Sequence, residues 1–404
     1  METVRYETTP KQPQKKRRRR RWPWILWLIS LALTAALTYW ITIRSGNAEN
    51  VALREALDII RENFYFYDKD NDRLIESAID GMTYSLDDIY STYYTEEEYA
   101  ALTKSNSGYY TGIGVVVRQL ETGVFEIESV YPDTPAEDAG ILEGDLLLAI
   151  NDTAAEGLDL STFLDAMHSE DGAENTLLLE RNGERLSAAV TAREIYAPTV
   201  SYRMQTDTIG YIYLSGFHGH CVDEVKDAIE ELKERGMQSL IFDVRDNPGG
   251  SLYDVCDIAD LFLDKDLVIT SLRSRTEKDE VFKTKAAGHT FPMVLLVNGD
   301  SASASELLSG ALQDHNRAHL IGTQTYGKGI VQSYIPVLAT NGYIKITTEA
   351  YYTPNGVCIH GVGITPDEVV ENPEEASHYL IGKIPEGMDL QLSAAIRYLA
   401  ENAN

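Results

Sequence analysis

Cysteine is scarce in this chain. Its three residues, Cys221, Cys256 and Cys358, form an odd set with no CxxC spacing. A disulfide framework is therefore excluded, and a structural zinc site is disfavoured. Buried free thiols are the expectation. Tryptophan is absent beyond residue 40: Trp22, Trp24, Trp27 and Trp40 all lie in one short stretch. Basic charge is equally confined. Residues 1–44 hold ten Lys and Arg against two Glu, which leaves 25 basic and 61 acidic side chains in 45–404, a formal −36. A body of that sign repels phosphate backbones, so no nucleic-acid partner is expected.

What is present begins with the tryptophan stretch. Residues 22–43, WPWILWLISLALTAALTYWITI, carry no charge. As a helix they would run roughly 33 Å, enough for a bilayer core. The tryptophans sit toward its two ends, as interfacial aromatics do, and the run from Lys15 to Arg21 is a positive-inside signal. The stretch is long for a cleaved signal peptide, and no clear small-x-small site precedes Asn47. The expectation is a basic cytoplasmic tail (1–21), a retained transmembrane anchor (22–44) and an extracytoplasmic body. That is a single-pass protein of the cell membrane.

The 404 residues suggest two or three folded units. The fold class expected is α+β and multidomain. Residues 45–107 read as helical, because Val51, Leu53, Ala56, Leu57, Ile60 and Phe64 recur at helical spacing. Asp68, Asp70 and Asp72 imitate the start of a calcium loop. Arg73 replaces the loop glycine and Ile79 the twelfth-position glutamate, so a polar turn and helix cap is expected there, with no metal. From 108 to 194 short β-type runs alternate with Gly and Pro turns. From 195 to 371 strands and helices alternate, the pattern of a layered sheet-and-helix core. Residues 372–404 read as a mostly helical tail.

Three segments of the core carry chemistry. Ser303 stands at a strand-to-helix junction among small residues, so a substrate backbone could approach it. Alone, Ser303 with Glu306 reads as a capping box. The second segment, Gly322 to Lys328, imitates a phosphate loop. Gly329 stands where Ser or Thr would hold magnesium, and a strand follows where a helix would be needed, so no nucleotide or other cofactor is expected. A lysine between two glycines can instead enter a crowded site and act as a base. A free lysine, pKa about 10.4, is only roughly 0.04% neutral at pH 7; lowering it some 3 units takes about 4 kcal/mol, which burial could supply. Gln332, four residues on, could hold that amine without adding charge. The third segment, Asp243 to Gly250, follows a buried strand. Its two glycines could expose N–H groups to an oxyanion, or form a plain turn.

Taken together, the segments resemble the carboxyl-terminal processing peptidases, or tail-specific proteases. The resemblance rests on Asp243-x-Arg245-x-Asn247-Pro248-Gly249-Gly250, Ser301-Ala-Ser303-Ala-Ser305-Glu306 and Gly327-Lys328-Gly329-x-Val331-Gln332. It extends through Arg317-Ala318, Tyr352-Thr-Pro354-Asn-Gly356, Gly361 and Pro366-Asp367. Residues 108–194 resemble a PDZ domain through Gly112-Ile113-Gly114, Pro135-Ala136, Ala139-Gly140-Ile141 and Gly144-Asp145. The resemblance implies an α/β sandwich serine-protease core with a Ser-Lys dyad. Ser303 would be nucleophile, Lys328 base and Gln332 its orienter, with the backbone N–H groups of Gly249 and Ala304 as oxyanion donors. Gly112, Ile113 and Gly114 would receive the terminal carboxylate of a peptide that adds as a strand. It implies protein or peptide substrates with free C-termini, and a homodimer. Ser301 and Ser305 are expected to be structural, and Cys358 and His360 carry no role. A Ser-His-Asp site using His315 or His319 is a rival. A silent membrane scaffold presenting the PDZ domain is another.

Overall fold

The structure is a computed structural model that describes residues 22–44, 48–66, 71–120, 122–168 and 170–402. The basic tail and most of the aspartate turn expected at 68–72 lie outside the described residues. The chain divides into two compact units, Met1–Ile75 and Glu76–Asn404. The first contains helices Trp22–Arg44 and Ala48–Asn63. Only residues 27–38 of the first helix have described side chains, and they are exposed. Among the described residues no helix is long and apolar enough to cross a membrane.

Among the described residues the second unit holds three larger β-sheets and one two-stranded ribbon. Its centre is a six-stranded sheet in the order Val200–Met204, Ile209–Leu214, Ser239–Asp243, Met293–Val297, His319–Gly322, Glu368–Val369. The first pair is antiparallel and the rest are parallel. Side chains alternate across a strand, so each strand feeds two cores. Ile212, Leu214, Leu240, Phe242, Leu295, Val297 and Leu320 pack against helices Cys221–Glu234, Leu252–Asp260 and Ala304–Asp314. Tyr211, Ile241, Val294, Leu296 and Ile321 face the other way, onto Ala394, Ala395 and Leu399 of helix Leu390–Asn402. The helical tail is thus the cover of the second face, and both inner strands Ser239–Asp243 and Met293–Val297 are buried throughout. Continuous apolar runs in the sequence follow from this double burial.

An antiparallel sheet lies alongside. Strands Thr92–Tyr94, Gly342–Tyr352, Val268–Ser274 and Glu280–Lys283 pair in that order, and Ile330–Val337 also pairs with Gly342–Tyr352. Helix Glu96–Asn106 and strand Thr92–Tyr94 fall in the segment read as wholly helical; the strand forms because Gly342–Tyr352 offers it an edge.

The third sheet contains Val115–Gln119, Phe125–Val130, Leu146–Ile150, Glu174–Arg181 and Glu184–Thr191, with Thr153–Ala154 beside Leu146–Ile150. Phe125, Ile127, Leu147, Ile150, Phe163, Leu177 and Leu179 form its core. Strand Val115–Gln119 is at the edge, paired among the described residues only with Phe125–Val130. A two-stranded ribbon, Tyr109–Gly112 with Arg193–Tyr196, closes the base where the chain enters and leaves.

Candidate active site

Ser303 is the N-cap residue of helix Ala304–Asp314, with φ 56° and ψ −112°. A non-glycine residue at positive φ is costly and persists only when its surroundings enforce it. Those surroundings are visible. The Ser303 N–H donates to the Glu306 carboxylate (2.9 Å), and the Ser303 carbonyl lies 2.9 Å from the Tyr351 hydroxyl. The capping-box spacing read from the sequence is therefore real, and its strained cap leaves Ser303 half-buried between fully buried neighbours Ser301 and Ser305. Ser301 Oγ donates to the Val244 carbonyl (2.7 Å) and Ser305 Oγ to the Asn247 carbonyl (2.8 Å). Both serines are structural: they fasten the 244–250 turn to the helix start.

Glu306 organises the site, which its role as a cap did not announce. It is fully buried. One carboxylate oxygen accepts from Thr325 Oγ and the Gly327 N–H, each at 2.7 Å. The other accepts from the N–H groups of Ser303 (2.9 Å) and Lys328 (2.8 Å). One oxygen thus ties the backbone of the serine to that of the lysine. The Tyr351 hydroxyl repeats the tie from the carbonyl side, at 2.9 Å from Ser303 O and 2.8 Å from Lys328 O.

Ser303, Ala304, Lys328, Gln332, Gly249 and Gly250 line one cavity of about 810 Å³. The Lys328 amine is held below the usual lysine range, chiefly by burial and then by Lys345, against the opposing pull of Asp88 and Glu306. Its Nζ lies 4.5 Å from the centre of the Tyr90 ring and makes no hydrogen bond to Ser303 among the described residues. Gln332 Nε2 donates to Thr347 Oγ (3.2 Å). The expected orienter is thus beside the lysine in the cavity wall but engaged elsewhere.

Gly249 has φ 105°, and a Cβ there would fall 2.8 Å from Ala302 O and from Ser303 Cβ. Only glycine allows the turn to approach the serine this closely. Its N–H donates to Asn247 Oδ1 (2.9 Å), so this expected oxyanion donor is occupied as the turn stands. Ala304 opens the helix, where an N–H has no intrahelical acceptor and the dipole favours an anion.

Under the turn lies a buried ion cluster. The Arg245 guanidinium donates to Asp243 Oδ2 (2.6 Å), Asp389 Oδ1 (2.8 Å) and Gln391 Oε1 (3.0 Å). Burial works against its charge, but Asp243 and Asp389 outweigh it and hold it firmly cationic. The motif residue Arg245 therefore locks the C-terminal segment to the turn, a contact of 144 residues in sequence separation that no local pattern could reveal.

The remaining expected positions fall as follows. Gly112 ends its ribbon strand, the Ile113 carbonyl accepts from the Ala136 N–H, and the Gly114 carbonyl accepts from the Tyr131 N–H, both at 2.9 Å. A Cβ on Gly114 would meet Thr134 at 2.4 Å, so the loop requires glycine. The histidine rivals do not reach the cavity: His315 Nε2 contacts the Val268 carbonyl (2.7 Å), and His319 stacks on Tyr398. Cys221 and Cys256 are buried free thiols, raised to about 12 by burial, and Cys358 is also free. Among the described residues no group of metal-ligating side chains is present.

A serine at positive φ on a helix cap, a lysine held below its usual range by burial and a glycine turn at the end of a parallel strand thus share one cavity, an arrangement compatible with a serine-type hydrolase. Comparison with known proteins agrees. Residues 208–370 match the family model of peptidase family S41, residues 126–181 that of the PDZ domain, and residues 42–98 that of the activating protease CtpB N-terminal domain. The chain is 39% identical over 313 residues to the carboxy-terminal-processing protease of Bartonella bacilliformis, covering 75% of this chain and 71% of the relative. It is 30% identical over 369 residues to a protein named as a CtpA-like serine protease in Staphylococcus saprophyticus, covering 90% and 74%. The chain belongs to peptidase family S41 and is a serine protease with a PDZ domain. Its fold is similar to that of a structure described as an S41 protease from Bacteroides fragilis (TM-score 0.57, 15% identity, 84% of this chain and 92% of that one). It is also similar to the photosystem II D1 C-terminal processing protease (TM-score 0.50, 23% identity, 83% and 96%).

Proposed function

We propose that this protease cleaves protein substrates near their free C-termini through a Ser303–Lys328 dyad. The observation that carries the reading is the single buried Glu306 oxygen that accepts from both the Ser303 and Lys328 backbones while both residues line one cavity. In this mechanism the neutral Lys328 amine takes the Ser303 hydroxyl proton as Oγ attacks the scissile carbonyl. The N–H groups of Ala304 and Gly249 receive the oxyanion, Gly249 after its bond to Asn247 is given up. Lys328 then returns the proton to the leaving amine, and water hydrolyses the acyl-enzyme. Gln332 orients the amine once it leaves Thr347.

The PDZ domain recognises or gates the substrate tail. Its free edge strand Val115–Gln119 supports this, since a peptide can pair there and place its carboxylate at Gly112, Ile113 and Gly114. The uncharged stretch 22–43 after seven consecutive basic residues supports a membrane anchor with the catalytic body on the extracytoplasmic side. A homodimer is part of the same reading. The test is cleavage of a peptide with an apolar C-terminus by the parent and by Ser303→Ala. Loss of cleavage in the variant is expected. Equal cutting by both would sink the dyad, and no cutting by either would favour a scaffold.

A further inference from the structure

We infer that Tyr90 and Asp88, on the loop 88–91 that precedes the PDZ domain, are positioning residues for the catalytic base, Tyr90 holding the Lys328 amine directly and Asp88, through Thr347, holding Gln332 until it turns to the amine. The inference rests on the dyad reading above.

The Tyr90 ring face lies 4.5 Å from Lys328 Nζ. An aromatic face attracts an ammonium and does nothing comparable for a neutral amine. The phenol is raised to about 12, first by burial and then by its hydrogen bond with Tyr326, so the ring stays neutral where the enzyme works. The same loop reaches Gln332. Gln332 Nε2 donates to Thr347 Oγ (3.2 Å), and Thr347 Oγ donates to Asp88 Oδ2 (2.7 Å). Ser91 Oγ donates to that oxygen too (2.6 Å), the Tyr90 N–H donates to Asp88 Oδ1 (3.0 Å), and the Thr347 N–H donates to Ser91 Oγ (3.2 Å). Burial would raise the Asp88 carboxyl, but these donors outweigh it and keep it ionised.

One short loop therefore grips the base through a ring and the orienter through a carboxylate. The charges acting on Lys328 are Asp88, Glu306 and Lys345, and His360 acts on Asp88. Of these groups only the ring and Asp88 belong to the loop, and both favour the charged lysine. The loop sets the pH at which Lys328 becomes a base.

The test is the pH profile of kcat/KM for the full chain with a peptide of apolar C-terminus. Tyr90→Leu removes the ring face but keeps an apolar side chain, so the ascending limb should move to lower pH by about 0.4–1.5 units. Tyr90→Phe, which keeps the ring, should leave the limb at the parent position. A limb in Tyr90→Leu that stays put or moves up overturns the inference, as does an equal shift in Tyr90→Phe. Asp88→Asn gives a second route if Tyr90→Leu does not fold: its limb must also move down, and an unmoved limb overturns the inference. Lys328→Ala separates the two readings. If it retains cleavage with the parent's limb, the dyad itself fails. If it is inactive at every pH while Tyr90→Leu is unshifted, only the positioning role fails.

Discussion

Replacing Glu306 tests whether the site is held by hydrogen bonds or tuned by charge. The carboxylate accepts from four donors: Thr325 Oγ, and the N–H groups of Gly327, Ser303 and Lys328. In Glu306→Gln the amide can place its NH₂ toward Thr325 and Gly327. The Thr325 hydroxyl can turn and accept, so one buried N–H is orphaned, at about 1–3 kcal/mol. The opposite flip orphans both Ser303 and Lys328 and costs about twice that. Gln should adopt the first flip and lose roughly 5- to 150-fold in kcat, or the equivalent in stability. Glu306→Ala orphans three N–H groups, about 3–9 kcal/mol shared between folding and catalysis. The electrostatic effect runs the other way. Glu306 favours the charged form of Lys328, so its removal frees more neutral base at pH 7. Peptide-cleavage kinetics with thermal melts on both variants decide between the two. Glu306→Gln cleaving faster than the parent, or Glu306→Ala matching it in kcat and Tm, would refute the hydrogen-bond account.

Much of the core was legible because parallel strands buried on both faces leave unbroken apolar runs, such as 240–244 and 293–297. Helix 221–234 was legible from Val222, Val225, Ala228, Ile229 and Leu232 on one apolar face, with Val222 only partly buried in the structure and Gly236 at φ 98° ending the helix. Strands Val200–Met204 and Glu280–Lys283 were not, because each is an edge or near-edge strand with little apolar pattern, and its pairing depends on partners distant in sequence. The small neighbours of Ser303, Lys328 and Gly249 mark places where backbones approach, but segment by segment they read as a helix cap, a broken phosphate loop and a plain turn; the resemblance of the three together is what assigned them roles. The roles of Glu306, Tyr351, Tyr90 and Asp389 could not be read in the sequence. An acidic or phenolic side chain looks the same in sequence whether it faces water or closes a buried network. The helix-cap reading of Ser303 does not compete with the proposed nucleophile: the cap's bond from the Ser303 N–H to Glu306 is part of what holds the serine at positive φ.

Two further outcomes follow from the turn beneath Ser303. Gly249→Ala should lower kcat at least about 100-fold with little change in KM, because the new Cβ meets Ser303 and Ala302 at 2.8 Å on a backbone at φ 105°; kinetics at saturating peptide check this, and a parental kcat would refute it. Asp389→Ala should act on stability first. It leaves Arg245 buried with Asp243 as its remaining carboxylate partner. Breaking a buried ion pair from one side costs about 3–5 kcal/mol, since the stranded charge loses compensation it cannot regain from water. The loss should appear as a lower denaturation midpoint. Asp389→Asn should be milder, as its oxygen can still accept from one guanidinium nitrogen. Asp389 sits on the segment leading into the helix that covers the second face of the central sheet, and Arg245 sits two residues before Asn247, which holds Gly249. A tail that only covered the sheet would lose stability on Asp389→Ala and keep its kcat per folded molecule. A tail that also braces the turn would lose both, and single-turnover rates on the folded fraction separate the two.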